Sequence, residues 1–222
     1  MVDGILFIFR TNTHPLMSFF RKIYNAIKPP DYEHVWRQFS AENNGNYIVG
    51  QYDNHDSVEI IYRNHKIVFD RLNDYPTVLV RSSLVSFTRI RLEFKSPDNL
   101  KFRIIEQTIV DDIGKLFGQQ DIKTGNKEFD FRFLISGNDE YKLQPLFQNK
   151  EFISILQNTK DVHLEILEES GIFGEKISPD KVMLYFITGT KIKKIEQLNT
   201  FFKLYQIIID ELTKVSSMNK VY

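Results

Sequence analysis

The sequence predicts an α+β protein with a mostly antiparallel sheet packed by helices, N-terminal helices and one long C-terminal helix. Apolar residues recur every second position between residues 47 and 108, and every three to four positions in segments on either side. The connections between successive strand-like segments are short, which favours antiparallel pairing. The 222 residues, of which 42% are hydrophobic, suffice for a core in one or two domains. We expect an N-terminal segment 1–30 and a single domain 31–222, with lobes 31–120 and 121–222 as the alternative.

The first periodic segment covers residues 16–28, where apolar residues recur at helical offsets. Its candidate contact face comprises Leu16, Phe19, Phe20, Ile23 and Ile27, beside the cations Arg21 and Lys22. A basic amphipathic helix of this kind binds a partner or a lipid interface. The alternative is that its apolar side packs on the chain's own sheet or on a second copy.

The second helix is predicted over residues 32–43, after Pro29 and Pro30 end the first. Asp31 is placed to cap it, and its apolar positions are Val35, Trp36 and Phe39. Gly45 is available for a left-handed C-cap.

Six strands are predicted next, because apolar and polar residues alternate in six segments: 47–52, 58–63, 66–71, 78–84, 87–94 and 102–108. Val58, Ile60 and Tyr62 share one face of the second strand. Asn64 and His65 lie between two strands and predict a tight hairpin, because asparagine tolerates positive φ. The six strands are expected to form an antiparallel meander.

Helices and strands alternate in the remainder. Helices are predicted over 109–117, directly after an Asn138 cap, over 150–157 and over 192–216, and strands over 129–136, 162–167 and 182–188. His163 is expected on the solvent face of its strand. The last helix has a broad apolar stripe, which favours a buried core helix over a coiled coil.

Composition and motifs exclude several classes of chemistry. Lysine plus arginine equals aspartate plus glutamate at 29 each, so no net charge attracts nucleic acid. The absence of cysteine excludes disulfides and thiolate metal ligands. The sequence has no HExxH, GxSxG, GxGxxG or P-loop pattern. We expect no catalytic residue, no metal site and no cofactor, and no nucleic-acid partner.

Three further patterns are interpreted as structural. The segment 53–56 offers Asp and His side chains, but too few for a calcium or zinc site, and predicts a polar loop. The neighbouring carboxylates of 111–112 and 168–169 point apart rather than towards one bond. Arginines such as Arg89 and Arg91 alternate with apolar residues, which is typical of a strand with one wet face rather than of a nucleic-acid surface.

One candidate site follows the last predicted strand, where the chain enters a helix. It consists of Thr188, Gly189, Thr190, Lys191 and Lys194. Free backbone N–H groups and the positive end of the helix dipole suit an anion there. The alternative is that Thr190 is a simple cap and the lysines are solvated.

The block GQQDIKTGNKEFDFRFLISGNDE, residues 118–140, is the most distinctive part of the chain. With LYFITG and the terminal TFFKLYQIIIDEL, it resembles the bacterial domain of unknown function 3137 family over about residues 32–215. The resemblance implies no known activity, cofactor or catalytic residue. It implies membrane association for many members through hydrophobic helices ahead of the domain, which this sequence replaces with the segment 16–28 alone.

These observations predict a non-catalytic interaction module that binds a protein partner, self-associates or lies peripherally on a membrane. The alternative is a small-ligand or anion-binding protein, or an enzyme, with a site near residues 188–194. No segment reaches the roughly 20 apolar residues of a membrane span, and no export signal is recognisable. We therefore expect the cytoplasm, with peripheral attachment to the inner membrane as the alternative, and expect residues 16–28 to form or cover an apolar patch.

Overall fold

A computed structural model describes residues 32–50, 56–72, 87–107, 120–168 and 177–219. The chain divides into two units, 1–34 and 35–222. The predicted helix 16–28, with the candidate face on it, lies outside the described residues, as do the predicted strand 78–84 and helix 109–117. The division of residues 31–222 into two lobes stays a prediction.

The described residues form an α+β fold, as predicted. The helices are α1 (Glu33–Glu42), α2 (Lys127–Arg132), α3 (Glu140–Gln148), α4 (Lys150–Gln157) and α5 (Ile195–Lys214). The strands are β1 (Asn46–Ile48), β2 (Ser57–Tyr62), β3 (His65–Leu72), β4 (Phe87–Phe94), β5 (Phe102–Glu106), β6 (Gln120–Asp121), β7 (Phe133–Gly137), β8 (His163–Leu167) and β9 (Val182–Thr188).

All nine described strands join one antiparallel sheet in the order β1-β2-β3-β4-β9-β8-β5-β7-β6. The predicted meander is confirmed from β1 to β4, except that β3 pairs directly with β4 and not with the predicted strand 78–84. It is wrong beyond that point, because β9 and β8 lie between β4 and β5. Every residue of β9 is buried, which is the pattern of a central strand covered on both faces.

The apolar core lies between α1, α5 and one face of the sheet. Phe39 of α1 and Phe202 of α5 both contact Phe69 of β3, with ring centroids 5.0 and 6.3 Å away. Phe201 packs on Phe186 of β9 at 5.3 Å. The predicted core role of the last helix is confirmed by nine buried residues, which include Leu198, Phe201, Leu204, Tyr205 and Leu212.

Two turns show where side-chain chemistry decides the local backbone. The predicted hairpin is confirmed, but its loop is Arg63-Asn64, both at positive φ, and His65 already pairs with Tyr62. The left-handed residue after α1 is Asn44 rather than Gly45, so the predicted glycine cap is wrong. Gly45 is required for space instead, since a Cβ there would lie 3.0 Å from the Glu59 carbonyl oxygen.

The predicted strand 129–136 is wrong in its first half. Asn126 accepts a hydrogen bond from the Phe129 amide at 3.2 Å and caps α2, so residues 127–132 are helical and the strand begins at Phe133. Phe129 is buried, whereas Phe131 is 82% exposed. A short helix can place Phe129 and Phe133 on one side, because they are four residues apart.

The cap of α3 is also shifted by one residue. Asp139, rather than Asn138, accepts from the Lys142 amide at 3.2 Å. Asn138 instead accepts from the Lys101 amide at 2.8 Å and donates to the Asn99 carbonyl. It therefore joins the end of β7 to the chain before β5.

Candidate functional site

The sheet has a second face, opposite α1 and α5, and it carries most of the polar side chains of the strands. Residues in register across this face are Val68, Arg91, Tyr185, Glu165 and Arg103, on β3, β4, β9, β8 and β5. The neighbouring row includes Asp70, Arg89 and His163. Because side chains alternate along each strand, both rows point to the same side. Among the described helices, α1 and α5 pack on the opposite face, so this surface is called the helix-free face below.

Asp70 organises the β3–β4 part of the helix-free face. Its carboxylate accepts from Arg89 Nε at 2.7 Å and Nη2 at 2.8 Å, and from Arg91 Nη2 at 2.5 Å. Asp70 is buried. The two guanidinium groups offset the free energy that it costs to remove a charged carboxylate from water. Arg89 and Arg91 share one face of β4 as predicted, but that face is not wet here, because their side chains are only 14% and 24% exposed and form ion pairs with Asp70.

Glu165 has the same role on β8. It contacts His163 Nε2 at 2.8 Å and accepts from Arg103 Nε at 2.5 Å. Burial raises the pKa of Glu165, but the hydrogen bonds and charges of His163 and Arg103 outweigh it and hold the pKa below its usual value. The expectation that His163 faces solvent is wrong, since it is only 2% exposed and lies beside Tyr185.

An apolar cluster buries the β9 part of the helix-free face. It consists of Phe87, Met183, Tyr185 and Ile187, with Leu167 and Ile177 packed against it. Ser178 donates to the Glu93 carboxylate at 2.6 Å, and Lys181 lies 3.5 Å from the same carboxylate. Residues 177–181 therefore run along β4 and β9 and limit the exposed part of this face.

A groove of about 880 Å³ lies on the remaining part, over β2, β3 and β4. Its lining includes Glu59, Lys66, Val68, Arg91, Glu93, Lys95, Lys181 and Met183. Lys66 forms an ion pair with Glu59 at 2.8 Å across β2 and β3. The groove is therefore an open surface with apolar and charged lining. Below, its floor means the apolar side chains of Val68 and Met183, and its walls mean the charged side chains.

Aliphatic side chains border this groove on the β1–β2 side. Ile61 pairs in register with Lys66 and is 61% exposed. Ile48 pairs with Ser57 and is 38% exposed, and Val49 after it is more exposed still. Most large aliphatic residues of the described chain are buried, so their exposure here marks a candidate contact surface.

The arrangement does not resemble an acid–base centre. Each described carboxylate that lines the groove contacts a lysine, and His65, which also lines it, is buried. Asp70 and Glu165 are saturated by cationic or imidazole partners. General acid–base catalysis needs a group poised to exchange a proton with a substrate. Within the described ranges, no group of three His, Asp or Glu residues is placed to hold a metal ion.

The predicted anion site is spread along a loop rather than gathered at a helix start. Helix α5 begins at Ile195 with Lys194 as its N-cap, so Thr190 does not cap it. The Thr190 amide donates to Thr188 Oγ1, and the Lys193 and Lys194 amides both donate to Gln197 Oε1. These amides therefore have partners within the chain.

A carboxylate also lies beside that loop. A Cβ at Gly189 would collide with the Asp161 carboxyl group. Burial and the charge of Glu106 raise the pKa of Asp161. Thr188 is fully buried and donates to the Lys160 carbonyl at 2.6 Å. The anion site, with Lys191 exposed on its rim, stays a prediction.

Most other candidate residues lie outside the described ranges or make structural contacts. Residues 53–55 and 111–112 are not described. Asp56 accepts from the Tyr47 hydroxyl and the Gly50 amide. Glu168 forms an ion pair with Lys101 at 2.5 Å.

Sequence reasoning missed the groove. The alternation in β2, β3 and β4 indicates which residues share a face, and Glu59, Lys66 and Arg91 could have been assigned to one face from it. The place of Lys181 and Met183 beside them depends on the pairing of β4 with β9, which is more than 80 residues away along the chain.

Comparison with known proteins finds little. No family model matches the chain, and no curated protein matches it. The chain is similar to the crystal structure of the mycobacterial trehalose monomycolate transport factor A, TtfA, with a TM-score of 0.45 and 9% identity. The similarity covers 85% of this chain and 97% of that chain. Membership in the bacterial family that the sequence resembles stays a prediction.

The described helices can be set against the length and hydrophobicity that a membrane span needs, about 20 mostly apolar residues. None of them is both long enough and apolar enough to cross a bilayer. The longest, α5, buries its apolar residues in the core.

Proposed function

We propose that this domain is a non-catalytic interaction module that binds a protein partner through the groove side of its helix-free face. The observation that carries the proposal is the exposure of Ile61 beside an open groove on a sheet face whose other half is buried. An exposed aliphatic side chain gains free energy when a partner removes it from water.

The chemistry of the groove supports binding rather than turnover. Its cations and carboxylates are arranged in pairs such as Lys66–Glu59 and Lys181–Glu93. Pairs at the edge of a contact surface favour specific orientation of a partner more than they add affinity. Aliphatic and charged groups together are typical of protein interfaces, which have an apolar centre and a polar rim.

Site-specific photo-crosslinking tests the proposal. A photoreactive amino acid replaces Ile61 in the full chain, and a second variant carries it at Tyr141, which is 89% exposed on α3. We expect a protein adduct of defined mass from position 61 in the native host, and we expect an excess of unmodified chain to compete for it. Position 141 is the control, because it is more accessible than position 61 but lies on a helix away from the groove.

The proposal is wrong if position 61 yields no protein adduct, or if both positions yield the same adducts. An adduct between two copies of this chain would identify the partner as a second copy. Binding to lipid alone, without a protein adduct, would favour peripheral membrane association instead.

A further inference from the structure

We infer that the groove accepts an extended segment of a partner protein that carries carboxylate side chains. This inference rests on the proposed function and specifies the chemistry of the partner. Three features of the groove support it: the charge of its lining, its dimensions and the apolar groups on its floor.

The lining has an excess of positive charge. Of the described residues, four cations line the groove, Lys66, Arg91, Lys95 and Lys181, against the two carboxylates of Glu59 and Glu93, and Arg91 is already paired with the buried Asp70. The chain as a whole has no net charge, so this local excess is a property of the groove. It favours a partner segment with an excess of carboxylates.

The individual cations differ in how far they are neutralised. Lys66 and Lys181 each contact one carboxylate and keep a side chain that is 57% and 38% exposed. Lys95 is exposed and makes no ion pair with any residue of the described ranges. Lys181 lies 3.5 Å from its carboxylate, against 2.8 Å for Lys66, so Lys95 and Lys181 are the positions where an incoming carboxylate gains most.

The dimensions suit a polypeptide in extended conformation. The path from β2 to β9 crosses three strand spacings, about 14 Å, which equals about four residues of extended chain. The volume of about 880 Å³ is sufficient for a short segment of that length. A bilayer surface is close to flat on this scale, so it would reach the groove walls but not the floor.

The floor provides sites for alternate side chains. Val68 lines the groove between the charged residues, Met183 lines its β9 end but is only 3% exposed, and Ile61 borders it. In an extended segment successive side chains point in opposite directions, so apolar residues meet the floor while their carboxylate neighbours meet the lysines of the walls. The expected partner segment therefore alternates acidic and apolar residues.

Fluorescence anisotropy with synthetic peptides tests this inference on the full chain. The probe is a labelled peptide in which glutamate alternates with valine or threonine, and its counterpart has lysine in place of each glutamate. We expect the acidic peptide to bind and the basic peptide not to bind. Added salt should weaken the binding, because exposed charges are screened.

Charge variants locate the binding. We expect the double variant Lys95→Glu/Lys181→Glu to weaken acidic-peptide binding by about tenfold or more. The neutral double variant Lys95→Gln/Lys181→Gln should weaken it less. The matched control, Lys127→Glu/Lys150→Glu, changes exposed lysines at the starts of α2 and α4 and should leave binding unchanged. Trp36 fluorescence verifies that each variant is folded.

The inference is overturned if both peptides bind equally, or if the control pair weakens binding as much as the groove pair. It is also overturned if the chain binds phosphatidylglycerol vesicles but not the acidic peptide, and if the vesicle binding is lost when Lys95 and Lys181 are replaced. If the acidic peptide fails but position 61 still yields a protein adduct, the proposed function stands and only the partner chemistry is wrong.

Discussion

At the scale of single residues, the helix-free face depends on two buried carboxylates, Asp70 and Glu165. Each contacts two side chains that carry or can carry positive charge. A buried carboxylate without partners costs several kcal/mol, whereas a saturated one can fix the positions of its neighbours. Arg91, which Asp70 holds, is also a wall of the groove. Arg91 therefore belongs both to the buried ion pairs of the helix-free face and to the lining of the groove.

Replacement of Glu165 by glutamine tests the energetic role of these buried ion pairs. The variant keeps the shape and one hydrogen bond but leaves the Arg103 guanidinium, which is mostly buried, without its counter-charge. We expect the free energy of unfolding near neutral pH to fall by about 2–3 kcal/mol. Urea denaturation followed by Trp36 fluorescence measures the change.

The pH dependence of the same variant gives a second readout. Glu165 has a lowered pKa in the folded protein, so its contribution is complete above the unfolded pKa of about 4.5 and is lost as pH falls through the folded value. Glu165→Gln should therefore lose less stability on acidification than the natural chain. The control is Glu128→Gln on the exposed side of α2. Equal acid sensitivity in all three proteins would contradict the assignment.

The position of His163 shows which part of a site a local pattern can predict. Its alternation with Val162 and Leu164 correctly indicates that it lies on the opposite face from them. In an antiparallel sheet with one open face, that would place it in water. Here β8 lies inside the sheet and both its faces are buried, and neighbouring residues in sequence contain no signal for this.

At the scale of elements, Asp98 connects three parts of the fold. Its carboxylate accepts from Lys142 of α3 at 2.6 Å, from Ser217 after α5 at 2.6 Å, and from the Leu100 amide before β5 at 3.1 Å. Burial raises the pKa of Asp98, but these hydrogen bonds and the charge of Lys142 lower it to about 2. A single side chain therefore holds the C-terminal segment against α3.

We expect Asp98→Asn to lower the free energy of unfolding near neutral pH by about 2 kcal/mol, because asparagine keeps the size but loses the charge-assisted bonds. The folded pKa lies below the usual 3.8, so the natural chain loses this contribution as pH falls towards 2, and the variant has none to lose. Chemical denaturation at neutral and acidic pH measures both effects.

The matched control for Asp98 is Asp180→Asn, at an exposed position with positive φ that asparagine tolerates. An equal loss of unfolding free energy in Asp180→Asn and Asp98→Asn would show that the effect comes from the net charge of the protein rather than from the contacts of Asp98. A loss at Asp98 that does not depend on pH would show that the carboxylate is not the stabilising species.

Elements with a long and regular pattern were predictable, and short ones were not. Strands β4 and β9 and helix α4 have the predicted bounds, because alternation or helical spacing runs through each of them without interruption. Residues 129–136 carry apolar side chains at alternate positions and predict a strand, but residues 127–132 are helical. The Asn126 cap starts a helix there instead, and one capping side chain is enough to decide between the two for six residues.

At the scale of the whole sheet, β9 joins two groups of strands. Strands β1 to β4 lie on one side of it, and β8, β5, β7 and β6 lie on the other. The hydrophobic pattern predicts that β9 is a strand, but it contains no information on the order of its neighbours. That order depends on long-range pairing, which only the complete set of tertiary contacts determines.

Phe186→Ala in β9 tests whether the two groups of strands unfold together. Phe186 is fully buried and contacts Phe201 of α5, so we expect a loss of about 3–5 kcal/mol. Because β9 pairs with β4 on one side and β8 on the other, the loss should appear equally in Trp36 fluorescence and in hydrogen exchange of β5 and β7.

The control is Phe131→Ala, at an 82% exposed phenylalanine, which should change neither the Trp36 transition nor the hydrogen exchange. A loss of protection in β7 while the Trp36 transition stays unchanged would instead support two lobes, 31–120 and 121–222, that unfold independently.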